Sequence, residues 1–104
     1  VAIEVELDAV LDKVDAIVLL RIQRERFAAM SMSDAEYVRR YRLDATRLTR
    51  LRSGACVLHP GPYNRGIELD DSVLEHTGWR YARQVRNGLF VRMAVLDFLV
   101  NDGE

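Results

Sequence analysis

"ACVLHPGPYNRG", residues 55 to 66, runs four small or apolar residues straight into a corner built from a histidine, two prolines, two glycines and an arginine. A short apolar run bounded by such residues reads as a buried strand. Proline fixes its own φ, and glycine reaches backbone conformations closed to other residues. Alternating them therefore specifies a path of main chain more than a surface of side chains. The stretch predicts a strand that ends in a stiff polar bend. That bend is either a rigid turn and nothing more, or a place where backbone groups meet a ligand.

A second run of the same kind lies upstream. "AIVLL", residues 16 to 20, is continuously apolar, as in strands buried on both faces of a parallel sheet, and it is followed by the polar "RIQRER". Helix signals separate the two strands. Ser33 and Glu36 form a capping box ahead of "DAEYVRRY"; Asp44 caps "ATRLTRL", and Gly54 marks its exit. Downstream, from about Trp79 to Val100, the residues Val85, Leu89, Met93, Leu96 and Val100 recur at helical spacing and define the longest element. At the start, "VAIEVEL" alternates at period two and reads as a strand or an extended arm, with "DAVLDKV" as a short helix opened by Asp8. Strands separated by helices predict an α/β fold: a partial doubly wound parallel sheet flanked by helices, with a long C-terminal helix.

The chain has 104 residues, 49% hydrophobic and 30% charged, which suits one domain over residues 1–104 and is too short for two. Its single cysteine, Cys56, excludes a disulfide framework and fits a reducing compartment. Arg92 and Asp97 interrupt the last apolar stretch, so no membrane span is expected and the protein is read as soluble and cytoplasmic. The chain opens on Val1, with no signal pattern, which suits a processed product or a piece of something longer.

Net charge is −1, but it is unevenly placed. Residues 1–20 carry five acids against Lys13, whereas residues 21–65 carry ten arginines against four acids. The arginines Arg39, Arg40, Arg42, Arg47, Arg50 and Arg52 read first as solvated helix faces. A nucleic-acid surface is the weaker alternative, because only Tyr37 and Tyr41 interleave with them and the sequence pI is about 6.2.

In open parallel α/β sheets, ligands sit beyond the carboxyl ends of the strands. "RIQRER" and "HPGPYNRG" both occupy that position. If Arg21 and Gln23 continue the extended strand, alternation puts both side chains on one face. One cationic fork and one amide then suit a carboxylate with a polar neighbour; the alternative for Arg21 is a salt bridge at the strand end. There is no nucleophile with an adjacent base and no glycine loop of the P-loop or dinucleotide type.

At these residues the sequence resembles a known family. "LLRIQRER" at 19 to 26, "EYVRRY" at 36 to 41, "HPGPYNRG" with Glu68, and "QVRNGLFVRMAVLDFLV" at 84 to 100 together resemble the C-terminal, aspartate-binding part of the aspartate carbamoyltransferases of pyrimidine biosynthesis. The resemblance covers nearly the whole chain in the same order, and its "HPGP" and "NRG" pair is similar to the aspartate enzymes and not to their ornithine relatives. It implies that Arg21 clamps a carboxylate of L-aspartate, that Gln23 helps to place it, and that Pro60, Gly61 and Pro62 offer main-chain groups to carbamoyl phosphate. It implies no metal and no cofactor.

The family's phosphate-cradling Ser-Thr-Arg-Thr stretch and its carbonyl-polarising histidine belong to a first domain and do not occur in these 104 residues. No catalytic residue is therefore assigned to this chain, and the isolated chain is expected to be inactive. His59 belongs to the corner and His76, in "LEHTGW", is expected to face solvent; neither stands in for the missing histidine. Arg24, Arg26 and Arg65 are expected to serve packing and internal pairs. "EHTGWRY" departs from the family pattern in carrying Trp79 where serine is more usual, which leaves open how the last helix begins and packs. The resemblance also implies a homo-oligomer, a trimer in the complete enzyme. For this chain, the apolar face of Leu89, Met93, Leu96 and Val100 suggests a dimer or a helix swap. The alternative is a noncatalytic, truncated homologue acting as an interaction or self-associating module.

Overall fold

The computed structural model describes residues 1–23 and 32–101. Two strands, β1 (Ala16–Val18) and β2 (Cys56–Leu58), pair in parallel with Ala16 opposite Cys56, Ile17 opposite Val57 and Val18 opposite Leu58. Between them come α1 (Asp34–Tyr41) and α2 (Ala45–Leu48); after β2 come α3 (Asp71–Glu75) and α4 (Tyr81–Asn101). The α/β class, the parallel pairing and the long last helix are as the sequence predicts.

The caps explain where the helices start. Ser33 accepts from the Glu36 amide at 3.2 Å, and Asp44 accepts from the Arg47 amide at 3.0 Å. Asp70, which caps α3 through the Ser72 amide at 2.9 Å, went unread in the sequence.

β2 is bonded along both edges and β1 along one. The Leu19 amide donates to the Leu58 carbonyl at 2.8 Å on one side. On the other, the Val57 amide donates to Gly78 at 2.8 Å, and the Arg80 amide donates back to Val57 at 3.0 Å. Val57 is accordingly fully buried, with Leu11, Leu19, Leu43, Leu48, Leu69 and Val73 around it. The expectation that "AIVLL" is covered on both faces is not met. Leu19 is buried and Ile17 half-buried, but Val18 and Leu20 are exposed, because among the described residues nothing packs on that second face.

Of the two readings of the first stretch, strand or extended arm, the structure has the arm, whereas the short helix expected after it differs. Residues 1–6 form an extended arm without strand pairing, leaving Val1, Ile3 and Val5 exposed, and the expected helix is only a 3₁₀ turn at Leu7–Ala9. The reason is a competing partner for Asp8. Its two carboxylate oxygens take Arg47 Nε at 3.1 Å and Arg47 Nη2 at 2.8 Å, and Arg50 Nη1 adds a third bond at 2.7 Å. Arg47 is therefore not on a solvated face. It is buried, and its guanidinium also donates to the carbonyls of Arg39, Arg40 and Arg42 at 3.1, 2.9 and 2.7 Å, closing the end of α1. This pairing holds the Asp8 carboxyl below its ordinary value and raises Arg47. Arg40 with Glu6 and Arg52 with Asp15 complete the pattern. The acidic start and the basic middle of the sequence thus face each other within the chain.

Candidate functional site

The corner after β2 is assembled around two fully buried polar side chains, His59 and Glu68. The His59 amide donates to Gln84 Oε1 of α4 at 2.9 Å, which ties the strand end to the last helix. His59 Nδ1 accepts from the Gly61 amide at 2.8 Å, so in the ring it is Nε2 that carries hydrogen, and it faces Glu68 Oε1 at 3.4 Å. Glu68 Oε1 also accepts from the Asn64 amide at 3.1 Å and from Asn64 Nδ2 at 3.4 Å. Its second oxygen, Oε2, is buried with no hydrogen-bond partner among the described residues. The neighbouring negative charge reaches α1: burial, followed by Glu68 and Tyr41, pushes the Tyr37 hydroxyl up to about 12.

Aromatic rings support the corner from outside. Tyr63 meets His59, Trp79 and Tyr81 edge-on at centroid distances of 5.8, 5.6 and 5.0 Å, and Trp79 stacks on Tyr81 at 5.6 Å. Trp79 thereby packs the start of α4 against the corner, which resolves the question its presence raised. Gly61 has φ +73° and lies so close to Tyr81 that an added Cβ would come within 2.6 Å of the phenol oxygen. Both features call for glycine.

The corner's chemistry follows from what remains unpaired. Pro60 and Pro62 have no N–H, and the Gly61 N–H is held by His59. Among the described residues, no group donates to the carbonyls of Pro60, Gly61 or Pro62. Residues 60–62 therefore have carbonyls available to accept hydrogen bonds and no free main-chain donor. It fits an amide NH2 and does not fit the oxygens of a phosphate.

The structure places Arg21 and Gln23 just beyond β1, both exposed, and Arg21 makes no ion pair among the described residues. The two strand-end stretches are joined: Asn64 Nδ2 donates to the Ile22 carbonyl at 3.3 Å. Arg24 and Arg26 lie outside the described residues. Arg65 pairs with Asp71 at 2.8 Å. His76, expected to face solvent, is half-buried, and its Nδ1 accepts from the Gly78 amide at 3.0 Å. Gly78 also lies against the Ala55 carbonyl, with which an added Cβ would collide. Gln84, Tyr81 and the side chain of Asn64 are parts of the corner that sequence reasoning missed. The motif "PYNRG" does mark Asn64, but as a turn former.

A parallel strand pair with carbonyl acceptors beyond one strand end and, beyond the other, an arginine without an ion pair among the described residues is an α/β lobe with its polar stretches at the strand ends. Residues 1–99 match the family model "Aspartate/ornithine carbamoyltransferase, Asp/Orn binding domain", and the chain belongs to that family. It is 52% identical over 104 residues to an aspartate carbamoyltransferase catalytic subunit from Acidothermus cellulolyticus, covering 99% of this chain and 32% of that one. It is 48% identical to the corresponding subunit from Salinispora arenicola, covering 91% and 31%. Among solved structures, aspartate transcarbamoylase from Trypanosoma cruzi in complex with carbamoyl phosphate superposes with a TM-score of 0.73 at 37% identity, covering 86% of this chain and 27% of the other. The chain spans about a third of the length of the curated relatives it matches.

Proposed function

We propose that residues 1–104 are a single domain from the C-terminal part of an aspartate carbamoyltransferase catalytic chain, supplying the aspartate-binding half of a site in a cytoplasmic enzyme of pyrimidine biosynthesis. The observation that carries this reading is that the free carbonyls of residues 60–62 and an Arg21 without an ion pair among the described residues are joined across the Asn64–Ile22 hydrogen bond. Arg21 binds a carboxylate of L-aspartate through its planar fork and Gln23 orients it. The carbonyls of Pro60, Gly61 and Pro62 receive the NH2 of the carbamoyl group. In the reaction, the aspartate amine nitrogen bonds to the carbamoyl carbon, the carbon–oxygen bond to phosphorus-bound oxygen breaks, phosphate leaves with that electron pair, and the nitrogen gives up a proton. Such a step needs orientation and preorganised charge, without a covalent nucleophile.

The phosphate-binding groups are supplied by the remainder of the catalytic chain, so the isolated chain is inactive. The complete enzyme is a trimer. This chain alone self-associates as a dimer, or by a helix swap, through the exposed apolar side chains of α4. A noncatalytic interaction module is not favoured, because it has no physical need for Arg21, Gln23 and an acceptor corner together.

The test is carbamoyl transfer by the purified chain, alone and mixed with a polypeptide carrying the family's carbamoyl-phosphate domain. No activity alone, and activity in the mixture that Arg21→Ala abolishes, is the expected result. Activity of the chain alone would overturn the half-site, and mixed activity indifferent to Arg21→Ala would overturn the aspartate assignment.

A further inference from the structure

We infer that Asn64 is a positioning residue that sets the register of residues 21–23 against the corner at residues 60–62, an inference that rests on the function proposed above. The inter-strand ladder ends where the Leu19 amide meets the Leu58 carbonyl. Beyond it, among the described residues, the one hydrogen bond made by residues 20–23 is from Asn64 Nδ2 to the Ile22 carbonyl. Ile22 lies between Arg21 and Gln23, so moving its carbonyl turns both flanking side chains.

Asn64 is itself tied at both its backbone and its side chain. A primary amide has two hydrogens to donate; one goes to Ile22 and the other to Glu68 Oε1 at 3.4 Å. The reverse orientation would set Oδ1 against two acceptors, so the amide has one satisfactory orientation here. Glu68 Oε1 then faces His59 Nε2, and His59 Nδ1 holds the Gly61 amide. A continuous path runs from the Ile22 carbonyl through Asn64, Glu68 and His59 to the backbone of the acceptor corner. Both side chains in the middle of that path are fully buried, where displacement of one member leaves another unpaired.

The experiment has two arms, applied to Asn64→Ala and to Asn64→Ser, whose hydroxyl is too short to reach Ile22, with Asn64→Gln as the amide-retaining control. In the first, the carbonyl carbon shift of Ile22 is read by NMR in the chain itself. The expected result is a shift at Ile22 in the Ala and Ser variants, restored in part by Gln, with Ile17 and Val57 unmoved. An unmoved Ile22, or one that shifts only together with Ile17 and Val57, overturns the inference. In the second arm, with the complementing polypeptide present, KM for aspartate rises about tenfold in the Ala and Ser variants, the size expected for one lost hydrogen bond, while kcat and KM for carbamoyl phosphate change less. Equal losses in all three overturn the positioning role. Absence of transfer in the unsubstituted mixture counts against the proposed function, and the Ile22 shift then decides the role of Asn64 independently.

Discussion

The corner at residues 59–68 and the helix at Tyr81–Asn101 lie side by side, linked by Gln84, and they treat buried surface in opposite ways. In the corner, the polar side chains of His59 and Glu68, which ordinarily stay in water, are fully enclosed, and they bond to each other and to the Gly61 and Asn64 amides. In the helix, residues that ordinarily avoid water stand in it: Leu89, Phe90, Met93, Leu96 and Leu99 are all exposed, and no residue of the helix is buried. The corner thus encloses a polar centre, of which only Glu68 Oε2 lacks a partner among the described residues. The helix is apolar nearly all round beyond Leu89, as helices designed to be enclosed are. Enclosing polar groups with partners and enclosing apolar surface are thus separate achievements, and neighbouring regions of one chain can differ in which they reach.

Substitutions can break that contrast, the strongest acting on buried charge. Arg47→Ala removes the buried guanidinium that closes α1 and ties it to Asp8, and is expected to lower unfolding free energy by about 4 kcal/mol in urea titration. Glu68→Ala leaves His59 Nε2–H and two Asn64 donors without an acceptor, with an expected loss of about 3 kcal/mol. A loss under about 1 kcal/mol there would mean that the corner is held by its prolines and aromatic rings and not by its polar centre. At the other extreme, Leu96→Glu on the exposed helix face should change stability by no more than about 0.5 kcal/mol. In sedimentation the same variant should lose concentration-dependent association; a large loss of stability would show that the helix face is covered within the chain.

Smaller effects appear in the pH dependence, at opposite ends of the scale. The Asp8 carboxyl titrates below its ordinary 3.8 in the folded chain. Its contribution is present above that value and is lost as pH falls through the lowered value, because the unfolded chain takes up the proton first. Asp8→Asn should flatten the acid limb of stability below about pH 3.8. Tyr37 shifts the other way, from 10.0 to about 12. Its contribution is intact below pH 10 and is lost between 10 and about 12 as the unfolded state ionises first, so Tyr37→Phe should flatten the alkaline limb.

What was legible in the sequence was whatever a few adjacent residues decide. Ser33 and Asp44 cap the helices they announce, Gly54 takes a positive φ, and "AIVLL" and "ACVL" pair in parallel. The misreadings involve partners far along the chain. Asp8 was read as a helix opener, but its carboxylate is taken by Arg47, 39 residues away, and that same capture buries an arginine that its neighbours suggested was solvated. The exposure of Val18 and Leu20 depends on which elements cover a sheet face, which no run of five residues encodes. In the candidate site, Arg21 and Gln23 stood out by their place after an apolar run and by the family resemblance, and the proline-glycine bend by its composition. Asn64 did not, because a turn former and a hydrogen-bonding bridge are the same letter in a sequence.

The Gly61 amide bound to the His59 ring has a consequence for selectivity. An edge of unpaired carbonyls distinguishes ligands of equal shape by their hydrogens. An NH2 group finds partners there, a methyl group of the same size finds none, and an oxygen in the same place meets lone pairs with lone pairs. With the Gly61 amide held by the His59 ring, residues 60–62 keep only acceptors, and under the function proposed above that arrangement favours nitrogen over carbon and oxygen.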